Sequence, residues 1–214
     1  MVNGPLADRQ PTSHERRSGR SWDDSYRDEP APWDTGRPQP AIVRLAAAGA
    51  FGRTVLDAGC GTGENTLHIA AAGARVLGVD VAETAIAMAR RKAAARGLDA
   101  EFAVADAFRL HLLDRTFDTV VDSGLFHTFD ADERTAYAHS LTSVTTPGAR
   151  LFILCFGDAG PDPGPHPVSR DALAAPFDHD PGWQVTDIAP EVIETRFAQV
   201  GAPAWLATIE RIAP

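Results

Sequence analysis

Three aspartates and a bare glycine turn are the residues of this chain whose types and spacing could do chemistry. Asp57 stands just ahead of Gly59, Gly61 and Gly63, Asp80 ends the next apolar run, and Asp106 follows the one after it. Thr54 to Leu56 reads as a buried strand feeding the glycines, and Glu64 onward as a short helix ended by Gly73. A strand-to-helix turn without side chains lets a ligand approach the backbone and offers N–H groups to a nucleotide-like molecule. The dinucleotide pattern is G-x-G-x-x-G, whereas here Glu64 takes the third glycine's place and the spacing is D-x-G-x-G-x-G. A carboxylate before the turn would repel a pyrophosphate. It suits a ligand carrying an ammonium and a sulfonium.

S-adenosylmethionine (SAM) carries both cations, and at these residues the chain resembles the class I SAM-dependent methyltransferases. The resemblance implies a cofactor site made by Asp57, Gly59, Cys60, Gly61 and Gly63, with Val81, Ala107, Asp122 and Ser123 beside it, and S-adenosylhomocysteine as product. Asp80 falls near the spacing of a ribose-binding acid, where two vicinal hydroxyls need a bidentate acceptor. Its other reading is an N-cap for the helix that follows. Asp106 alone reads as a turn or cap residue. In the resembled family an acid there accepts from the adenine amino group.

Stepping outward, the elements that must hold these residues alternate. Arg75–Asp80, Glu101–Ala105, Phe117–Asp122 and Arg150–Phe156 read as further strands, with helices from about Val81 to Arg96 and from about Ala131 to Val144 between them. A helix over Ala41 to Ala50 precedes the first strand, and Pro147-Gly148 precedes the fifth. This is an α/β, doubly wound sheet, whose ligands sit at the carboxyl ends of the strands. The later segments Gln184–Ile188, Val192–Phe197 and Trp205–Ile212 are β-rich. The resemblance implies that they close a Rossmann-like seven-stranded sheet in the order 3-2-1-4-5-7-6, with the last strand pair antiparallel.

Residues 1 to 20 are polar and aperiodic, which predicts a disordered tail ahead of a single domain over 21–214. Next come Trp22, Tyr26 and Trp33 in a Pro-rich segment, which reads either as a flap over a sheet edge or as a lid over a ligand. The W-x-x-x-Y and P-W-D-x-G-R pattern resembles the lid of the thiopurine and thiol/halide methyltransferase branch. It is also similar to small mycobacterial methyltransferases of heterocyclic toxins. That implies a lid over 21–40, with Trp22 and Trp33 on the donor and Tyr26 at the substrate pocket.

On the acceptor side, Leu125, Phe126 and His127 follow the fourth strand, Phe156 ends the fifth, and Gly157–Pro167 is a Pro/Gly loop carrying His166. That loop reads as an acceptor-side wall or as a linker to a helix over Ser169–Ala175. His127 is the best-placed general base, and the bland reading is a space-filling ring. His166 and Asp171 are weaker candidates. A thiol, with a pKa near 8.5, or a ring nitrogen needs little help from a base, whereas an alcohol needs more. Sulfur and heterocyclic nitrogen acceptors therefore come ahead of oxygen.

Composition narrows the class. The 214 residues suffice for one sizeable core, with 44% hydrophobic and 23% charged residues. A net charge of −9 argues against nucleic acid, as does Asp122-Ser-Gly-Leu where amino-methylating nucleic-acid enzymes carry N/D-P-P-Y. Membrane spans and a secretory leader are not expected, and two cysteines on strands separated by another fit a reducing, cytoplasmic setting. No metal-ligand spacing occurs. The expected partner is a small-molecule acceptor. Rival readings are a SAM-binding sensor or scaffold without transfer activity, and a nicotinamide-dependent oxidoreductase.

Overall fold

A computed structural model describes residues 6, 8–27, 30–160, 164–198 and 200–212. Seven strands form one sheet: β1 Thr54–Ala58, β2 Arg75–Asp80, β3 Glu101–Val104, β4 Phe117–Ser123, β5 Thr145–Phe156, β6 Trp183–Ile193 and β7 Ala202–Arg211. Their order is β3-β2-β1-β4-β5-β7-β6. The pairs among β1 to β5 are parallel, while β7 runs antiparallel to both β5 and β6. The sheet order and the antiparallel last pair are those the family resemblance implied.

The helices are α1 Ser13–Ser18, α2 Pro40–Ala47, α3 Glu64–Ala71, α4 Glu83–Arg96, α5 Ala131–Thr142 and α6 Arg170–Asp178. Local chemistry explains their ends. Pro40 opens α2 at a position where its missing N–H costs nothing. Gly97 ends α4 in the left-handed conformation, and Asp130 with Glu133 forms a capping box at the start of α5.

Strand alternation divides the core between the two faces of the sheet. Leu56 and Val120 pack with Tyr137, Leu151, Phe177 and Trp183, while Val55 and Val121 pack with Ile42 and Ile69. Burial of both faces is what makes the central strands nearly continuous apolar runs.

Several boundaries differ from the sequence reading. Pro147 and Gly148 lie inside β5, where the register against β4 slips between Phe117 and Thr119. A proline without a ladder donor and a glycine at φ 88° fit an irregular stretch of strand. The segment 184–188 and the start of 192–197 belong to one strand, β6, which ends at Ile193 and leaves 194–197 outside it, and α6 extends past Ala175 to Asp178.

The tail expected to be disordered over 1–20 is helical at Ser13–Ser18; residues 1–5 and 7 lie outside the described residues. Thr12 caps α1, and Glu15 reaches back to the Thr12 N–H at 2.8 Å. Ser13 donates its N–H and its hydroxyl to Glu133 on α5, each at 2.6 Å. A local capping box and a tertiary partner in the middle of the chain, Glu133, together hold this segment.

Residues beyond α1 cross the carboxyl edge of the sheet and are tied down along their length. Asp23 accepts from the Thr84 N–H at 2.7 Å, and Asp34 accepts from the Thr62 hydroxyl at 2.7 Å. The Gln39 amide both gives to and takes from the Glu194 main chain, at 2.9 Å each. Arg196 N–H donates to the Pro32 carbonyl at 2.8 Å.

Candidate active site

One cavity runs along the carboxyl ends of β1 to β5 beneath the N-terminal segment. The glycine turn forms its floor. Gly59 and Gly63 have φ of +72° and +86°, and a Cβ there would fall 2.9 Å from Leu125 and 2.8 Å from the Phe102 ring. Only glycine fits such positions.

The N–H groups of this turn are largely occupied. Gly59 and Cys60 donate to the Val79 carbonyl at 2.9 Å, and Gly63 donates to the Cys60 carbonyl at 3.0 Å. Gly61 donates to Asp80 at 2.9 Å. The turn therefore offers shape rather than a nest of free donors, which disfavours a pyrophosphate.

Asp80 lines the cavity and accepts from the Gly61 and Ala82 N–H groups, both at 2.9 Å. Burial raises its carboxyl while these N–H groups hold it down. A carboxylate accepts about four hydrogen bonds, so capacity remains for a pair of hydroxyls. The N-cap alternative fails, because Ala82 occupies that position and the first-turn Thr84 N–H is taken by Asp23, not by Asp80. Asp106 lines the cavity and also caps the 3-10 turn Ala107–Leu113, accepting from the Phe108 N–H at 3.0 Å. Val81, Ala107 and Ser123 lie on the same wall.

Four residues expected at the site are elsewhere. Asp57 is 1% exposed and faces away from the cavity, accepting from the Thr66 hydroxyl at 2.5 Å. Burial first, then the nearby Asp80 charge, raises its pKa to about 6 against the Thr66 hydrogen bond. Asp122 is fully buried behind the wall, with Oδ1 accepting from the Leu125 and Phe126 N–H groups at 3.0 and 3.2 Å. Its Oδ2 and the Tyr137 hydroxyl neighbour each other without a hydrogen bond of normal geometry, and burial lifts the carboxyl to about 7. Phe126 belongs to the core, its ring stacked 6.4 Å from Phe177 and beneath the Arg134 guanidinium. Strand position places a residue at the carboxyl edge but does not choose which side its side chain takes. Asp171 is exposed in the first turn of α6, away from the cavity.

The aromatic residues of the N-terminal segment do line the cavity. Trp22 and Trp33 meet edge to face at 5.8 Å, and the Trp33 indole N–H donates to the Tyr26 hydroxyl at 2.9 Å. That hydroxyl lies 3.0 Å from where a Gly61 Cβ would sit, so Tyr26 covers the glycine turn rather than the acceptor side.

The acceptor side is an aromatic chamber with two histidines. His127 is 7% exposed, its ring 4.4 Å from Phe156, and its Nδ1 has no partner. Burial, then the neighbouring His166, Arg134 and His14, pushes its pKa down to about 3. His166 stands in the loop after β5 at φ 55°, edge-on to His14 at 5.5 Å, and His14 stacks on Trp22 at 4.4 Å.

Sequence reasoning missed Arg9, Thr12 and His14, which reach the cavity from the supposed tail. The T-S-H-E run of a capping box was their one legible mark. Asp34, Phe129 and Phe197 also line the cavity and carried no separate sign.

The strand order, the covered cavity at the sheet's carboxyl edge, and acids at the ends of β2 and β3 make up a Rossmann-like fold with a cavity suited to a nucleoside. Residues 55–148 match a family model described as a methyltransferase domain. A 2-heptyl-1-hydroxyquinolin-4(1H)-one methyltransferase of Mycobacteroides abscessus is 40% identical over 163 residues, 74% of this chain and 71% of that protein. A structure solved in work on the conversion of a disulfide bond into a thioacetal group during echinomycin biosynthesis is 40% identical. It superposes with a TM-score of 0.80 over 89% of this chain and 90% of its own. A SAM-bound magnesium protoporphyrin IX methyltransferase of Synechocystis shares the fold, with a TM-score of 0.62 at 24% identity, over 80% of this chain and 76% of that one. The chain belongs to the SAM-dependent methyltransferases, and these likenesses give no support for a nicotinamide enzyme.

The residues present fit that donor. Asp80 suits a ribose, Asp106 and the Ala107 backbone suit a purine edge, and the bare turn admits close approach. Bound there, SAM supplies an electrophilic methyl on a sulfonium. Among the described residues no helix is long and apolar enough to cross a membrane, and no His/Cys/Asp/Glu group could hold a metal ion.

Proposed function

We propose that this methyltransferase acts on a planar aromatic or thiol-bearing small molecule, with sulfur or ring nitrogen preferred over oxygen. The observation that carries this reading is the aromatic chamber around His127, whose ring lies 4.4 Å from Phe156 and whose Nδ1 meets no partner. A ring whose pKa is pushed down to about 3 is neutral under all ordinary conditions. It is too weak to take a proton from an alcohol, whose own pKa lies far above that range. No carboxylate hydrogen-bonds its Nδ1 to strengthen it. His127 therefore serves to orient an acceptor by a hydrogen bond, and the acceptor arrives with its lone pair available.

The lining supports the rest. Leu125, Phe129, Phe156 and Phe197 offer flat apolar surface, and His166 adds a polar edge. One relative is a hydroxyquinolone methyltransferase and another was solved in work on converting a disulfide into a thioacetal, a heteroaromatic ring and a sulfur centre. In this reading residues 21–40 are a lid that excludes water, and the protein works in a reducing cytoplasm, where Cys60 and Cys155 stay free thiols.

The test offers SAM with a panel of thiols, azaheterocycles, N-hydroxy heterocycles and aliphatic alcohols, read by mass spectrometry. Thiols or heteroaromatics should gain 14 mass units, roughly the mass of one CH₂. Methylation confined to aliphatic alcohols would overturn the reading.

A further inference from the structure

The donor is a cation, and the acid once expected to face it, Asp57, points into the sheet. The carboxylates that do line the cavity, among the described residues, are Asp34, Glu64, Asp80 and Asp106. Each can be asked whether it is free to meet a positive charge.

Glu64 is not. Arg96 holds it with two bonds at 2.8 and 2.9 Å, and Lys92 lies 2.8 Å from its other side. Asp80 is engaged by backbone N–H groups at the end of β2, where it suits a ribose. Asp106 follows β3, two strands from the glycine turn, which is roughly 10 Å at the usual strand spacing. A nucleoside laid along Asp106 and Asp80 extends its remaining length toward β1.

There the turn meets Asp34. Its Oδ2 accepts from the Thr62 hydroxyl at 2.7 Å, and its Oδ1 accepts from the Gly36 N–H at 3.0 Å. The Thr62 hydroxyl in turn accepts from the Lys92 ammonium at 2.6 Å, which fixes its proton on Asp34. No Lys or Arg forms an ion pair with Asp34 among the described residues, and it is only partly exposed. Among the described residues it is the cavity carboxylate at the β1 end that no Lys or Arg contacts directly.

Resting on the SAM reading, we infer that Asp34 is the counter-ion of the donor's α-ammonium. The charge belongs to the N-terminal segment and not to the sheet. The amino-acid end of the donor then lies between Asp34 and the glycine turn, and the segment closes most firmly when that ammonium is present. Asp34 thus becomes a donor-binding residue that recognises the amino-acid part of the molecule and leaves the nucleoside to Asp80 and Asp106.

Calorimetric titration of S-adenosylhomocysteine and of 5′-methylthioadenosine, which lacks the amino-acid part, tests this. Asp34→Asn removes the charge and keeps an acceptor oxygen for only one of the two donors, the Thr62 hydroxyl or the Gly36 N–H, so Thr62→Val is the control for the lost bond. Asp34→Asn should weaken S-adenosylhomocysteine binding by roughly tenfold or more, the scale of a hydrogen bond to a charged group. Methylthioadenosine affinity should change by less than about threefold. Thr62→Val, which removes the latch but leaves the charge, should alter both affinities by similar factors. Equal loss for both ligands in Asp34→Asn, or no loss for either, would overturn the assignment. If the wild-type chain bound methylthioadenosine and S-adenosylhomocysteine equally well, the ammonium would have no partner and the assignment would fall while the nucleoside site stood. If it bound neither, the donor reading itself would fall and take the assignment with it.

Discussion

Ser13 and Glu133 lie 120 residues apart in sequence, yet both the N–H and the hydroxyl of Ser13 donate to the Glu133 carboxylate at 2.6 Å. The same carboxylate completes the capping box of α5 through the Asp130 N–H at 3.0 Å. One side chain therefore starts a helix and docks the beginning of the chain. That docking brings Arg9, Thr12 and His14 to the cavity.

Deleting residues 1–20 should accordingly cost function, although their composition reads as dispensable. The truncated chain should fold, since the sheet core contains none of them. Its affinity for S-adenosylhomocysteine should drop by about tenfold, since an intact wall excludes water from the bound molecule. Calorimetry on the full and shortened chains decides it; equal affinity would mean that α1 plays no part in the site.

Buried carboxyls set a pH dependence of stability. Asp122 and Asp57 titrate near 7 and 6 in the folded protein, above the ordinary carboxyl range near 4. The folded state thus binds protons more tightly than the unfolded one. Their contribution is fully present below about pH 4 and is lost as pH rises through about 6 to 7. Asp122→Asn keeps an acceptor for the Leu125 and Phe126 N–H groups and needs no proton. It should flatten the fall in Tm between pH 5 and 8 and raise Tm at pH 8. One pKa unit is worth about 1.4 kcal/mol, so the gain at high pH is bounded by roughly 4 kcal/mol. A Tm profile parallel to the wild type would contradict this.

Asp57 and Asp80 should separate in their effects on binding. Asp57→Asn retains the Thr66 hydrogen bond and touches no ligand, so donor affinity should shift by less than about threefold. Asp80→Ala removes a cavity-lining carboxylate and should weaken S-adenosylhomocysteine at least tenfold, with circular dichroism unchanged. The opposite ranking would return Asp57 to the donor site.

His127→Gln should lower kcat by less than about tenfold on a thiol or ring-nitrogen acceptor. The wild-type profile of kcat between pH 5 and 8 should show no inflection from this ring, whose pKa lies near 3. An inflection in that range which disappears in the variant would identify His127 as a working base.

What the sequence made legible was whatever the chain encodes within a few residues. The bare turn at Gly59 to Gly63, the strand ends at Asp80 and Asp106, and the apolar strands between them are written in local pattern and spacing. Side-chain direction is not. Asp57 and Asp122 stand at neighbouring β1 and β4 positions, yet both turn inward, because a strand buried on both faces gives no alternation to read. The order in α1 escaped for a different reason: it depends also on Glu133, which no local window contains. Phe126 was misplaced for lack of knowledge that Phe177 and Arg134 would enclose it.

The reciprocal bonding between Gln39 and Glu194 ties the entrance of the cavity to the outermost rim of the sheet. The place of the N-terminal segment is therefore set at two ends, by the turn after the first strand and by the chain leaving the last-but-one, so a change at that distant edge is felt above the cavity.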